Sequence, residues 1–407
     1  MSGLKKKLFK VTKPQIFKIT GNIFLTFLLL SPLFIFLGGM YLYQLSFSVN
    51  KDPFVQFSGY DPRSEVVIAW ETKDLEDSFV WYGISKSTLN MNVTDSKLIR
   101  IHKIILINLQ PDTEYFYQVG SIHPSLNLRS QIFTFKTAPN NTVTDFNIIV
   151  YSDSQQFIGI GWHKRICNTI AKHDQISFVA NIGDLCQNWD YKPDWNQFFK
   201  ESSIYMKKYL FVPCLGNHDG FYHSDDPDGS KHYYKQYFNA TFTNNRFYYS
   251  FNWSNTQFIV GEISTTQDEN INLPENIQHD LWLNQTLING QSKRFRILMF
   301  HRQVFSSEGN NDNLISRIIP IVEKYNVSLV LYGHHHHYER FIFNNKTYIC
   351  LGGGGGQQFG SNYFKTTPYT ESFALGPSYT KLSFTSSQIQ ITSFSAENDI
   401  LDNCIII

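Results

Sequence analysis

Ile176-Ser177-Phe178-Val179-Ala180-Asn181-Ile182-Gly183-Asp184 is an apolar run that stops on a glycine and a carboxylate. A short run of this kind reads as a buried strand, and an Asp just past its end lies where open α/β sheets place their sites. The pattern recurs on both sides. Upstream, Phe146-Asn147-Ile148-Ile149-Val150-Tyr151 leads to Asp153 and Gln155, and Trp162 to His173 has helical spacing before the next strand. Downstream, Tyr209-Leu210-Phe211-Val212-Pro213 leads to Gly216-Asn217-His218-Asp219. Ile297-Leu298-Met299-Phe300 then runs into His301-Arg302, and Ser328-Leu329-Val330-Leu331-Tyr332 into Gly333-His334-His335-His336-His337-Tyr338-Glu339-Arg340. Strands alternating with helical segments predict an α/β domain over residues 144–395. Strand ends that supply two Asp, one Asn and three His suit a pair of metal ions, since carboxylate and imidazole bind zinc, iron and manganese.

Residues 52–138 read differently. Glu65 to Trp70, Phe79 to Gly83, Thr113 to Val119 and Ile132 to Phe135 alternate as short strands, which predicts an all-β sandwich with Trp70, Tyr115 and Val119 in its core. Leu109-Gln110-Pro111-Asp112-Thr113-Glu114-Tyr115 looks like the tyrosine-corner entry of a fibronectin type III module. His102 is isolated there and reads as a structural histidine. The turn-rich Ala138-Pro139-Asn140-Asn141-Thr142 marks the boundary.

The N-terminus carries a targeting signal. Residues 1–22 are rich in lysine, and 23–43 form an apolar run of about 20 residues, the thickness of a bilayer core. No A-x-A pattern ends it, so it reads as an uncleaved transmembrane helix rather than a cleaved signal peptide. Lysines before the span keep that end cytoplasmic and place the rest of the chain on the lumenal or extracellular side. Sequons at Asn92, Asn140, Asn239, Asn252, Asn284, Asn326 and Asn345 fit that side, although chance alone supplies about five in so Asn-, Ser- and Thr-rich a chain. Cys167, Cys186, Cys214, Cys350 and Cys404 have no C-x-x-C spacing. A net charge of +1 argues against a nucleic-acid partner. Asp225, Asp226 and Asp228 read as a solvated loop, and Gly352 to Gly356 as a turn near the site mouth, lacking the Lys-Ser/Thr of a nucleotide loop.

In order and spacing the five clusters resemble the blocks of the metallophosphoesterase superfamily, and specifically of purple acid phosphatases: Asp-x-Gly, Gly-Asp-x-x-Tyr, Gly-Asn-His-Asp/Glu, Val-x-x-His and Gly-His-x-His. Gly333 before the histidines and Tyr338-Glu339-Arg340 after them set the run apart from a low-complexity tract. Asn245-Arg246-Phe247-Tyr248-Tyr249-Ser250-Phe251 and the β-sandwich in front add to the likeness, which covers residues 54 to 395. The resemblance implies a binuclear centre of iron, zinc or manganese. Asp184 would bridge the ions, Asp153 and His336 would complete one site, and Asn217, His301 and His334 the other. Two cations about 3.5–4 Å apart acidify a water that attacks phosphorus. His218 would serve the leaving group as proton donor, with Asp219 to orient it.

Two departures matter. Gln155 stands where these enzymes have Gly, and Gln187 where they have Tyr. The iron tyrosinate is therefore not expected. Gln155 occupies the position of the His in the Asp-x-His form of the wider superfamily, so its carbonyl is a candidate ligand, with Gln187 and Arg302 as further ligand or substrate contacts. Ser306-Ser307-Glu308-Gly309-Asn310 has none of the outer-shell histidines of the plant enzymes. Three readings follow: a membrane-anchored acid phosphomonoesterase acting on a small-molecule phosphoester or a phosphoprotein; a phosphodiesterase or pyrophosphatase on the same centre; and a non-catalytic surface protein.

Overall fold

The structure, a computed structural model, describes residues 49–121, 128–141, 144–155, 161–220, 232–238, 247–270, 272–357, 365 and 367–407. The expected membrane span at 23–43, the sequon at Asn239 and the Asp225–Asp228 loop lie outside them. Among the described residues no helix is long and apolar enough to cross a membrane.

The chain opens with β1 (Val49–Gln56), β2 (Val66–Gly83), β3 (Met91–Leu106), β4 (Glu114–Ser121), β5 (Leu128–Arg129) and β6 (Phe133–Lys136). The sequence predicts two strands where β2 is one. Lys73-Asp74-Leu75-Glu76-Asp77 is polar but holds no Gly or Pro to turn the chain, and irregular pairing with β3 carries the strand through. Its first half pairs with β1 and its last five residues with β4. Trp70, Tyr115 and Val119 are buried as expected, and Tyr115 Oη accepts a hydrogen bond from the Gln110 amide at 2.9 Å, the contact of a tyrosine corner.

His102 is fully buried, stacked on Trp70 and hydrogen-bonded to Thr72 Oγ1 and Ser78 Oγ. It is structural. Burial pushes its pKa down to about 4. The fold thus prefers the neutral ring, whereas the unfolded chain takes up its proton at about pH 6.5. Its stabilising contribution is complete above that pH and is lost as pH falls through 4. Thermal unfolding should therefore shift downward between pH 6.5 and 4, and less steeply in His102→Gln.

The second domain begins with β7 (Phe146–Tyr151), helix α1 (Trp162–Ile170), β8 (Ile176–Asn181), α2 (Lys192–Met206), β9 (Leu210–Pro213) and α3 (His232–Phe238). There follow β10 (Tyr249–Trp253), β11 (Thr256–Val260), α4 (Pro274–Asn289), β12 (Phe295–Met299), α5 (Asp312–Lys324) and β13 (Leu329–Tyr332). The described chain closes with β14 (Tyr338–Phe343), β15 (Lys346–Leu351), β16 (Thr370–Ala374), β17 (Ser378–Phe384), β18 (Ile389–Ser395) and β19 (Ile400–Ile406). The terminal Cys404-Ile405-Ile406 thus pairs within a sheet that runs on past residue 395.

One sheet runs β19-β18-β17-β7-β8-β9-β1-β2-β4-β5, with β3 and β6 beside it; the other runs β10-β11-β12-β13-β15-β14-β16. The N-terminal β domain is therefore continuous with the first sheet, through Gln56 opposite Phe211. Both sheets bury one face in a shared apolar core that includes Ile148, Val150, Ala180, Phe258, Ile297 and Leu331. On its outer face the first sheet packs α1, α2 and α3 through Tyr151, Ile166, Trp195, Phe198 and Tyr237. The second packs α4 and α5 through Leu287, Leu298, Ile318 and Val330. β7, β8 and β9 are parallel, as are β11, β12, β13 and β15, so each set sends its carboxyl ends toward one edge.

Candidate metal centre

Three of the candidate ligands leave their strand ends through an unusual backbone. Asp153, Asp184 and His334 have φ of 61°, 54° and 71°, a left-handed backbone uncommon for residues with a Cβ and concentrated at functional sites. Gly216 lets the third loop lie against the second, because a Cβ there would meet Asp184 Oδ1 at 2.2 Å. The Gly352–Gly356 run packs against the site in the same way: the Gly356 amide donates to the Asp153 carbonyl at 2.8 Å, and a Cβ on Gly356 would meet the His336 ring.

Two groups converge. Asp184, His301 and His334 each offer a ligand atom, all within 4.8 Å of one another; so do Asp153, Asp184 and His336. Asp184 is common to both. Asn217 Oδ1 lies 3.0 Å from His301 Nε2 and 2.9 Å from His334 Nδ1, on the first group. His301 Nδ1–H donates to the Ile182 carbonyl at 2.9 Å, and His336 Nδ1–H to the Gln357 carbonyl at 2.6 Å. Each ring therefore turns its Nε2 lone pair inward, the outer-shell arrangement that prepares a histidine for a metal. Asp153, Asp184 and His301 are buried, so two carboxylates and an imidazole face one another away from water. Burial pulls the His301 pKa down, yet the Asp184 and Asp153 carboxylates outweigh it and push it up to about 9. Such a set has the composition that two cations satisfy, and the residues fit a binuclear centre.

His218 is half-buried beside Asp184. Its amide donates to Asp184 Oδ1 at 2.7 Å and its Nδ1–H to the Gln187 carbonyl at 2.8 Å, which leaves Nε2 as the functional nitrogen. Asp219 does not orient it. That expectation is corrected by the geometry: Asp219 is buried and accepts from the amides of Leu185 (2.8 Å), Cys186 (3.3 Å) and Gly216 (2.9 Å). It ties the second ligand loop to the third. Burial and the Asp184 charge push its pKa up to about 8 against the pull of those donors.

Gln155 reaches into the centre, its Nε2 3.0 Å from Asp184 Oδ2 and 3.1 Å from His336 Nε2. Gln187 meets the site through its backbone. Gln187 also lines a cavity of about 10 Å³, with Ser154, His163 and Glu201. Arg302 bonds Glu269 Oε1 at 2.7 Å through Nε and His334 Nε2 at 2.5 Å through Nη1, so its guanidinium closes one side of the site. Of the sequons, Asn92, Asn140, Asn252, Asn326 and Asn345 are exposed and Asn284 is half-buried.

Sequence reading missed the outer layer. His163 joins Glu201 Oε2 (3.0 Å), Tyr151 Oη (3.1 Å) and Cys167 Sγ (3.2 Å) behind the first strand pair. His337 sits buried between Glu308 Oε1 (3.1 Å) and Glu339 Oε2 (3.0 Å), and Glu339 also takes the Ser307 amide. His337-Tyr338-Glu339 carried a local hint, being adjacent to the candidate ligands, and His163 and Cys167 lie four residues apart on one helix; Glu201 and Glu308 come from 38 and 29 residues away.

Residues 146–338 match the calcineurin-like phosphoesterase family, and residues 53–137 the purple acid phosphatase N-terminal domain. Two curated relatives from Arabidopsis thaliana are named probable inactive purple acid phosphatases. Number 9 is 22% identical over 71% of this chain and 53% of its own length, and number 1 is 24% identical over 58% and 42%. The chain thus spans about half the length of the curated relatives it matches. A purple acid phosphatase from yellow lupin (Lupinus luteus) seeds shares the fold, with a TM-score of 0.70, 19% identity and coverage of 87% of this chain and 73% of that one. With a purple acid phosphatase N-terminal domain set before a calcineurin-like phosphoesterase domain, the chain belongs to the purple acid phosphatase-like metallophosphoesterases.

Proposed function

We propose that the protein hydrolyses phosphate monoesters with two metal ions, held in a membrane-anchored chain whose basic residues 1–22 are cytoplasmic and whose domains face the lumen or the exterior. The observation that carries the reading is the pair of ligand groups sharing Asp184, with His218 beside them. When bound, the ions would supply positive charge for the phosphoryl oxygens and lower the pKa of water. The chain supplies the rest. Asp184 sits between the two groups, the Ile182 and Gln357 carbonyls hold the His301 and His336 rings in register, and Asp219 fixes the loop spacing. His218, its Nδ1–H held by Gln187, would carry a proton on Nε2 and give it to the departing alkoxide oxygen.

His218→Ala should lower kcat on nitrophenyl phosphate by about 10²–10⁴-fold, the usual span of general acid catalysis, while both ions stay bound. Metal analysis of the purified variant beside its rate checks this; loss of metal along with rate would return His218 to a structural role.

Ser306, Ser307 and Glu308 in place of outer-shell histidines favour a second reading, a phosphodiesterase or pyrophosphatase on the same centre. Faster turnover of bis-nitrophenyl phosphate than of the monoester would establish it. The names of the two plant relatives favour a third, a non-catalytic protein, and a folded, metal-loaded chain that turns over neither ester would support that one.

A further inference from the structure

Gln155 is 2% exposed, and its Oε1 has no hydrogen-bond partner, although Nε2 of the same amide faces Asp184 and His336. A buried carbonyl oxygen left unpaired bears the full cost of its lost hydration. Such an orphan at the heart of a site calls for a cause.

The inward-facing atoms provide one. His336 Nε2 is an acceptor, because Nδ1–H is engaged with Gln357. Asp184 Oδ2 is an acceptor, and Asp153 Oδ1 lies 3.5 Å from His336 Nε2. Without an ion, the Gln155 amide group is the donor that meets two of these atoms, and it does so by leaving Oε1 unpaired. A cation among Asp153, Asp184 and His336 reverses the preference. It would satisfy the acceptors itself and repel the amide hydrogens that now face them, while attracting the carbonyl oxygen. A half-turn about the last side-chain torsion exchanges the two ends with little change in the shape of the group.

We infer that Gln155 is a protein ligand of the ion held by Asp153, Asp184 and His336, binding through Oε1 after its amide turns over. The inference rests on the two-ion reading above and gives it a metal class. With Gln187 in place of a tyrosine, the site has a neutral amide oxygen and no phenolate. Two carboxylates, an amide oxygen and one imidazole form an oxygen-rich set for a divalent ion such as manganese or ferrous iron, without the third anionic ligand that favours a trivalent one.

The full-length protein, stripped of metal and titrated with Mn²⁺ alone, tests this by stoichiometry and electron paramagnetic resonance. Wild type should bind two ions with a spin-coupled spectrum. Gln155→Ala should bind one site at least about tenfold more weakly, given that even outer-shell changes cost 10–100-fold, and should show an uncoupled manganese signal at intermediate loading. Gln155→Met, of similar length but without the oxygen, should behave like Gln155→Ala and covers the case in which truncation unfolds the loop. Gln155→His should restore both sites. Equal or tighter binding of two ions by Gln155→Ala or Gln155→Met would overturn the inference while leaving the two-ion reading intact. A wild-type protein that binds no Mn²⁺, Zn²⁺ or Fe²⁺ would overturn both.

Discussion

Asp184→Ala should leave the folded protein with neither ion and with turnover at background, a loss of at least about 10³-fold in kcat/KM, or roughly 4 kcal/mol of transition-state stabilisation. Asp184 is the residue common to the two ligand groups. Its Oδ1 also takes the His218 amide at 2.7 Å, so truncation strips one anchor from His218 as well. Loss of Asp153 or His336 should spare the group formed by Asp184, His301 and His334. Metal analysis beside nitrophenyl phosphate hydrolysis from pH 4 to 8 distinguishes these outcomes. An Asp184→Ala protein that keeps both ions would remove the bridging role.

A comparably large effect on stability should come from Glu71, far from the ligand clusters in sequence. Glu71 is buried on β2 with Lys51 of β1, and it also bonds Lys192 Nζ at the start of α2 (2.7 Å) and Tyr237 Oη of α3 (2.8 Å). Burial alone would raise its pKa; the hydrogen bonds from Lys192 and Lys51 outweigh it and hold the carboxyl at about 2. Glu71→Gln leaves the buried Lys51 ammonium uncompensated and should cost about 3–5 kcal/mol, read from urea unfolding at pH 7. Replacing both partners, as in Lys51→Met/Glu71→Leu, should recover much of that loss, since a well-packed apolar pair often equals a buried ion pair. Because the folded pKa lies below the unfolded value, the contribution is complete above about pH 4.3 and is lost as pH falls through 2. A Glu71→Gln protein as stable as wild type would show that the network contributes nothing net.

The strand-end clusters that the structure brings together were legible because each half of the signal is local. Ile176 to Ile182 is apolar without interruption, and Gly183-Asp184 follows at once; the same holds for His301 after Phe300 and His334 after Gly333. Tyr115 was legible from Pro111-Asp112 upstream of it. What escaped depends on the chain's return. Nothing near Asp219 says that its carboxylate binds amides 33 and 34 residues earlier rather than the adjacent imidazole. Nothing near Gln187 says that its carbonyl, not its side chain, serves His218. The Glu71 network joins residues up to 166 positions apart, with no periodicity to mark it. β2 was split in the sequence reading because polarity alone resembles a turn, whereas the backbone needs a reason to reverse.

The left-handed backbone at Asp153, Asp184 and His334 gives drift a direction. Each such residue costs the fold about 1–3 kcal/mol relative to an unstrained one, and glycine adopts that geometry without the penalty. Where metal is absent, Asp153→Gly or His334→Gly would relieve strain, and the Asp change would also remove a buried charge, so the unloaded protein should gain from losing its ligands. A lineage that no longer used the ions would thus slide toward glycine at these positions. A chain that still holds two aspartates and a histidine there stands uphill of that path.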